Sequence, residues 1–273
     1  MTKEIIQLYV DQKLSVSKIN RILGISKTQL YRILEKEGIK RRLTSETSTK
    51  YQCNENYFSL IDTEEKAYFL GLIYADGCIS KWKNQTGVLR ITSKDKDILE
   101  KFLVSINSNS IIYTEFHNKF KKECFKVRIT SSQIFNDLNN LGCIPNKSLI
   151  VKFPTNINSL LMNHFIRGYF DGDGSVSSIQ VKNTNWKRLV SSFVGTEDFI
   201  QNLNKEVGSN KKVEVIKGNK NLLYRIQFSV NDSLKLYKYM YKDSTVFLNR
   251  KKDIFENYIK QRSSTTTIIS PII

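Results

Sequence analysis

Only two histidines, His117 and His164, occur in the 273 residues, so histidine-based acid–base or metal chemistry has little material. Cysteine is nearly as scarce. Cys53, Cys78, Cys124 and Cys143 stand apart with no CxxC pair, which suits neither a zinc cluster nor a disulfide framework and reads as reduced thiols of an intracellular protein. No apolar run is long enough to span a bilayer. Residues 1–14 contain Glu4 and Asp11 and no apolar h-region, so no secretory signal is expected. Without a lipidation motif or a long basic amphipathic helix, no membrane partner is expected. Acids are in deficit too: 26 Asp and Glu face 43 Lys and Arg, a formal net charge of +17. With a pI near 9.6, that imbalance points to a polyanion, and nucleic acid is the partner it favours. A hydrophobic share of 40% with 11% aromatics supports a packed core rather than a disordered basic tail. The length suits one long compact fold or two to three smaller units.

What the chain does have is one motif twice. The first copy reads Ala67-Tyr-Phe-Leu-Gly71-Leu-Ile-Tyr-Ala75-Asp76-Gly77, and the second His164-Phe-Ile-Arg-Gly168-Tyr-Phe-Asp-Gly172-Asp173-Gly174. In each, small residues recur every fourth position: Ala67, Gly71 and Ala75, then Gly168 and Gly172. Positions i and i+4 share a helix face, so each copy carries a stripe almost without side chains. Two such stripes let helices approach more closely than the usual spacing of about 8–10 Å. Gly77 and Gly174 are expected as left-handed caps. That places Asp76 and Asp173 at helix C-termini, where the macrodipole disfavours an acid by about 0.3–1 kcal/mol. Two acids so placed in two repeats suggest a compensating cation. If the helices run side by side in parallel, both carboxylates meet at one end, and oxygen-only ligands favour Mg²⁺.

Phe69-Leu-Gly-Leu-Ile-Tyr-Ala-Asp-Gly77 and Ile166-Arg-Gly-Tyr-Phe-Asp-Gly-Asp-Gly174 resemble the paired motifs of LAGLIDADG homing endonucleases of the single-chain, two-repeat kind, over roughly residues 57–262. The resemblance implies an α+β fold of two pseudo-symmetric αββαββα halves forming a DNA-binding saddle. It also implies Asp76 and Asp173 as catalytic metal ligands. Tyr74 stands where the family often has an acid, a position that does not bind metal.

Taken in order, residues 3–40 read as three short helices, with Gly24 in a turn and a capping box at Ser26–Gln29. The spacing is that of a helix-turn-helix and resembles small DNA-binding domains of recombinases and phage regulators. Lys27, Thr28, Gln29 and Arg32 then lie near the exposed start of a recognition helix, and the trailing Lys40-Arg41-Arg42 resembles a phosphate- or minor-groove-contacting arm. A generic three-helix bundle with solvated charges is the plain alternative. The expected divisions are a helix-turn-helix domain at 1–42, a polar linker at 43–56, LAGLIDADG halves at 57–155 and 156–262, and a flexible tail at 263–273.

Within the first half the pattern predicts strands at 88–92, 111–116 and 124–130, and helices around Ile98–Leu103 and over 133–141. The second half repeats the order, with strands at 176–182, 188–194, 213–216 and 223–230 and helices around Phe199–Leu203, over 234–241 and over 247–259. Alternation turns Phe125, Val127 and Ile129 inward, and Lys126, Arg128 and Thr130 outward. Likewise Tyr224, Ile226 and Phe228 face in, while Arg225, Gln227 and Ser229 face out. Arg and Gln can read base edges in the major groove, which admits a two-stranded ribbon. Arg90, Lys182 and Arg188 join this expected DNA-binding set.

Phosphodiester hydrolysis needs a cation beside the metal-activated water. The family resemblance suggests residues just past the second strand of each half, Ser93 and Lys94 or Gly195 and Thr196. Lys94 alone has the chemistry, with Lys126 and Arg225 as alternatives. The reading is therefore a monomeric, Mg²⁺-dependent, site-specific endonuclease that cuts both strands of a long asymmetric double-stranded DNA target. Two alternatives stay open: an RNA-binding maturase acting on intron RNA, and a non-cutting DNA-binding regulator. The expected location is intracellular, cytoplasmic in a bacterium or phage setting and organellar in a eukaryote.

Overall fold

A computed structural model describes residues 1–12, 14–41, 51–81, 85–117, 122–184, 186–217 and 222–268. The chain divides into two compact units, Met1–Tyr51 and Gln52–Ile273.

The first unit starts with α1 (Thr2–Ile6) and continues as a π-helical turn, Gln7–Asp11. Next come α2 (Val16–Leu23) and α3 (Lys27–Lys36). The expected capping box is formed: Ser26 Oγ accepts from Gln29 N, and Gln29 Oε1 accepts from Ser26 N, both at 3.3 Å. Ile5, Tyr9, Val16, Ile19, Leu30 and Leu34 make a separate small core.

The second unit does not wait for residue 57. Gln52 N donates to Asn109 Oδ1 at 2.6 Å and Asn54 N to the Ile106 carbonyl at 2.8 Å. These bonds attach 52–56 to the core, so the expected linker ends earlier than its composition suggested. Two repeats follow. The first contains α4 (Glu64–Asp76), β1 (Gly77–Ser80), β2 (Val88–Ser93), α5 (Lys96–Ser105), β3 (Tyr113–His117), β4 (Lys122–Thr130) and α6 (Ser132–Asn140). The second contains α7 (Ser159–Asp173), β5 (Ser175–Gln180), β6 (Lys187–Gly195), α8 (Glu197–Glu206), β7 (Glu214–Lys217), β8 (Leu222–Phe228) and α9 (Val230–Tyr241). A last helix, α10, runs Asn249–Ile268. Each repeat is αββαββα, with antiparallel sheets in the matching orders β1-β2-β4-β3 and β5-β6-β8-β7.

Several boundaries differ from the sequence pattern. The four-residue strand β1 was not anticipated. β5 stops at Gln180, which leaves Lys182 in a turn, and β8 stops at Phe228 because Ser229 is the N-cap of α9. Helical structure continues to Ile268, through part of the expected tail, while residues 269–273 lie outside the described residues.

Helices α4 and α7 are the centre of the unit. Every residue of α4 from Ala67 to Tyr74 is buried, as an interior helix with apolar residues all round requires. In α7, Met162 and Phe165–Asp171 are buried. The small-residue stripes face each other. A Cβ on Gly71 would clash with the Phe165 carbonyl, one on Gly168 with the Tyr68 carbonyl, and one on Gly172 with the Ala75 side chain. From the crossing point, where Gly71 lies by Tyr169 and Gly168 by Leu72, both chains advance to the Ala75–Gly172 contact, so the helices are parallel and both C-termini arrive at one end.

A charged network holds the second half against α4. Arg167, fully buried, donates to the Val246 and Met240 carbonyls at 2.9 and 2.7 Å, to His164 Nδ1 at 2.7 Å, and to Glu64 Oε1 at 2.6 Å. The guanidinium has no free acceptor capacity, so His164 accepts on Nδ1, and burial holds its pKa down. Among the described residues, no helix is long and apolar enough to cross a membrane.

Candidate active site

Each motif helix turns straight into a strand. Gly77 has φ −80° and ψ 149°, and Gly174 φ −73° and ψ 159°. The expected left-handed caps are therefore wrong. Glycine is needed for room: a Cβ on Gly77 would lie 2.6 Å from the Ile73 carbonyl oxygen, and one on Gly174 2.6 Å from that of Phe170. This extended turn sends the strand away at once and leaves Asp76 and Asp173 as the last residues of their helices.

The two side chains reach solvent yet are ringed by protein. Desolvation, then the charge of Asp173, pushes the Asp76 carboxyl up to about 6. Desolvation likewise raises Asp173. The opposing influence comes from two lysines that the sequence reading missed. Lys147, buried in the short turn after α6, donates to the Ala75 and Gly77 carbonyls at 3.2 and 2.6 Å. Lys251, buried in the first turn of α10, donates to the carbonyls of Phe170, Asp171, Gly172 and Gly174 at 2.5, 2.8, 3.3 and 2.6 Å. Each ammonium satisfies carbonyls that end a motif helix. Burial lowers Lys251 to about 8. Both charges favour ionised Asp76 and Asp173.

The residue two places before each acid seats the segment that carries the lysine. Tyr74 donates its hydroxyl to the Leu141 carbonyl. At the matching place, buried Asp171 accepts from Leu248 N and the Tyr68 hydroxyl, both at 2.7 Å, and from the Tyr241 hydroxyl at 3.2 Å. The Tyr68–Asp171 bond crosses between the halves.

Among the described residues, no cluster of three or more His, Cys, Asp or Glu could hold a metal. Two carboxylates nevertheless suit Mg²⁺, which binds through one or two of them and keeps water and phosphate oxygens as its other ligands. Burial strips solvent from both carboxyls, and ligand oxygens short of solvation in an oxygen-only pair fit a hard divalent cation.

The outward sheet faces begin at this floor. Thr92 and Cys124 share a cavity of about 580 Å³ with Asp76, Lys94 and Arg250. Exposed Lys94 thus lines the same cavity as Asp76. In the first sheet, Arg90 stands opposite Arg128, and Thr92 opposite Lys126. Arg128 is exposed, Arg90 donates to Ser80 Oγ at 2.9 Å, and Lys126 pairs with Glu115 at 2.6 Å. In the second sheet, Gln227 lies opposite Ser192, and Arg225 opposite Val194. Arg225 pairs with Glu214 at 2.6 Å, while Arg188, Gln227 and the turn residue Lys182 are exposed. Val127, Ile129, Ile226 and Phe228 are buried on the other face.

In the first unit, Lys27, Thr28, Gln29 and Arg32 lie exposed along α3. Gln29 also uses its carbonyl oxygen for capping. Arg41 lies 4.4 Å over the Tyr31 ring and 3.9 Å from Glu35, and Arg42 lies outside the described residues. All four cysteines are free thiols, and Cys143 is buried.

Comparison with known proteins agrees with this arrangement. Residues 63–140 and 161–239 each match the family model described as a LAGLIDADG-like domain, together more than half of the chain. The DNA-directed RNA polymerase subunit Rpo1C of Methanocaldococcus jannaschii is 32% identical over 112 residues, 41% of this chain and 12% of that protein. An uncharacterized protein of the same organism, MJ0314, is 30% identical over 151 residues, 53% of each. The chain thus spans about half, or far less, of these curated relatives. Among solved structures, the meganuclease I-SmaMI bound to uncleaveable DNA superposes with a TM-score of 0.52 at 13% identity, over 75% of this chain and 93% of that one. The same meganuclease with uncleaved DNA and calcium ions gives 0.51 at 13%, over 77% and 95%. At such identity these structures speak for the fold. Two matched repeats, each ending its motif helix in an acid, make this chain a member of the LAGLIDADG family in its single-chain, two-repeat form.

Proposed function

We propose that this chain is a site-specific DNA endonuclease that cuts both strands of a long, asymmetric duplex target with Mg²⁺ or another divalent cation. The observation that carries the reading is the meeting of Asp76 and Asp173 at one end of a glycine-packed parallel helix pair, with a lysine on each helix end. Solved structures similar to it in fold include a meganuclease bound to DNA. Outward Arg90, Lys126, Arg128, Arg188, Arg225 and Gln227, with Lys182, supply phosphate contacts and base readout. At matching positions the first sheet carries Arg90 and Arg128 where the second carries Ser192 and Gln227, which suits an asymmetric site read by one monomer.

Asp76 and Asp173 would hold the cation, which when bound activates water and offsets phosphate charge. The chain's own parts do the rest. Lys147 and Lys251 fix the ends of the motif helices and place positive charge beside the carboxylates. Lys94 adds a cation at the Asp76 side. The first unit, through Lys27, Thr28, Gln29 and Arg32, is an accessory DNA reader.

Incubation of the full chain with a randomised duplex library and Mg²⁺, followed by sequencing of the cut ends, tests the reading. A recurrent long site with breaks on both strands is expected. Asp76→Asn or Asp173→Asn should abolish cutting while leaving affinity for the recovered site within a few-fold. Full activity in either variant sinks the assignment. Tight binding to intron RNA with no DNA cutting would favour the maturase, and tight DNA binding without cutting the regulator.

A further inference from the structure

The two acids do not have the same neighbours. Arg250 comes from α10 of the second half but reaches the first, where its Nε donates to both oxygens of Asp95 at 3.0 and 2.9 Å. Among the described residues, no acceptor takes a hydrogen bond from its two Nη groups, and the side chain is 52% exposed. It lines the cavity shared with Asp76, Lys94 and Gly172, of which Asp173 is not a wall.

The repeat makes the comparison strict. Lys147 and Lys251 play the same part in the two halves, so the residue before Lys147 is the counterpart of Arg250. That residue is Asn146, uncharged and at φ 57°. The counterpart of Lys94 is Thr196, whose hydroxyl donates to the Val151 carbonyl at 2.6 Å and accepts from Phe199 N. Exposed Lys94 and Arg250 therefore share a cavity with Asp76, whereas their counterparts in the repeat, Thr196 and Asn146, carry no charge.

We propose that Arg250 is a phosphate-binding residue for the Asp76 side alone, so that the two DNA strands are cut in order, the strand at Asp76 first. This rests on the endonuclease reading. In each cut, water adds to phosphorus, one phosphorus–oxygen ester bond breaks, and the proton from water ends on the departing sugar oxygen. Arg250 gives up no proton. Asp95 holds Nε while the Nη fork donates to the phosphate oxygens, whose charge grows as water adds.

The test uses the full chain on a supercoiled plasmid carrying the site recovered from the library, with breaks on each strand read separately. Nicked circle should accumulate before linear product, with early breaks confined to one strand. Removing a donor aimed at developing charge costs about 10²–10³ in buried sites, so half-exposed Arg250→Gln should slow that strand by at least about tenfold. The other strand should change by less than about twofold, and Arg250→Lys should restore part of the order. Asp95→Asn, which keeps the guanidinium charge but loosens its anchor, should slow the same strand. Equal strand rates in the wild type, or equal slowing of both strands by Arg250→Gln, overturns the proposal. Melting curves of the variants separate a folding defect from either result, and Arg250→Lys then carries the comparison. Absence of any cutting by the wild type would instead overturn the endonuclease reading itself.

Discussion

Gly168 faces the carbonyl oxygen of Tyr68 so closely that a Cβ at that position would clash with it. The reciprocal approach, Gly71 against the Phe165 carbonyl, makes the helix pair tight in both directions. Even alanine overfills this interface, because the obstacle is backbone and cannot rotate away. Gly71→Ala or Gly168→Ala should cost about 1–3 kcal/mol or more, read as a lower denaturation midpoint. Val104→Ala, at a side chain 81% exposed, serves as the neutral control. An unchanged midpoint in both glycine variants would show that the helices do not meet through these faces.

The raised carboxyl of Asp76 has a stability consequence in metal-free buffer. Its ordinary value is 3.8 and its folded value about 6. Below 3.8 both states hold the proton and the group has no effect. Between the two values the folded state keeps a proton that the unfolded chain has released, so stability falls as pH rises, and above about 6 the cost is complete. Asp76→Asn should therefore melt higher than the wild type at pH 7.5 without metal, and not at pH 3.5. Solvent screening limits the gain to about 1 kcal/mol or less. Adding Mg²⁺ should raise the wild type more than the variant. A variant less stable than the wild type at pH 7.5 without metal contradicts the electrostatic account.

Much of this arrangement was legible in the sequence because it rests on period and repetition. Small residues at i and i+4, in both Gly71–Ala75 and Gly168–Gly172, announced the helix pairing. Alternation in Phe125–Thr130 and Tyr224–Phe228 announced which face is outward. The cap geometry was misread because a glycine after a helix answers two needs, positive φ or missing volume, and Gly77 and Gly174 answer the second. Lys147, Arg167, Arg250 and Lys251 were illegible for another reason. Their partners lie far away in the chain, and nothing local tells a lysine that binds helix-end carbonyls from one on the surface. The same holds for β1, whose four residues are too few to show a period.

Lys251 gives the sharpest test of those long-range bonds. Its ammonium donates to four carbonyls around the end of α7. Lys251→Met keeps most of the stem but leaves buried acceptors without partners, and should cost about 2–3 kcal/mol. Lys94→Met, at an exposed side chain, should leave the melting temperature unchanged while still weakening cutting. Lys251→Met melting like the wild type would mean that water replaces the ammonium at no cost.

The first unit tests whether recognition is additive. Its core of Ile5, Tyr9, Val16, Ile19, Leu30 and Leu34 is its own, and the acids and both sheets belong to Gln52–Ile273. An accessory reader joined by a tether raises affinity through effective concentration without shaping the cutting centre. The fragment 52–273 should then bind the long site more weakly, protect a shorter footprint at one end, and still cut the same bonds at high enzyme concentration. Every phosphate that the fragment no longer neutralises should lower the log–log salt slope by about 0.9. Lys27→Ala with Arg32→Ala in the full chain should reproduce part of that drop, because both side chains are exposed on α3. An identical footprint and slope for the fragment would remove DNA reading from the first unit. A fragment unable to fold would show that the first unit supports the core instead, and the double variant in the intact chain would still decide whether α3 touches DNA.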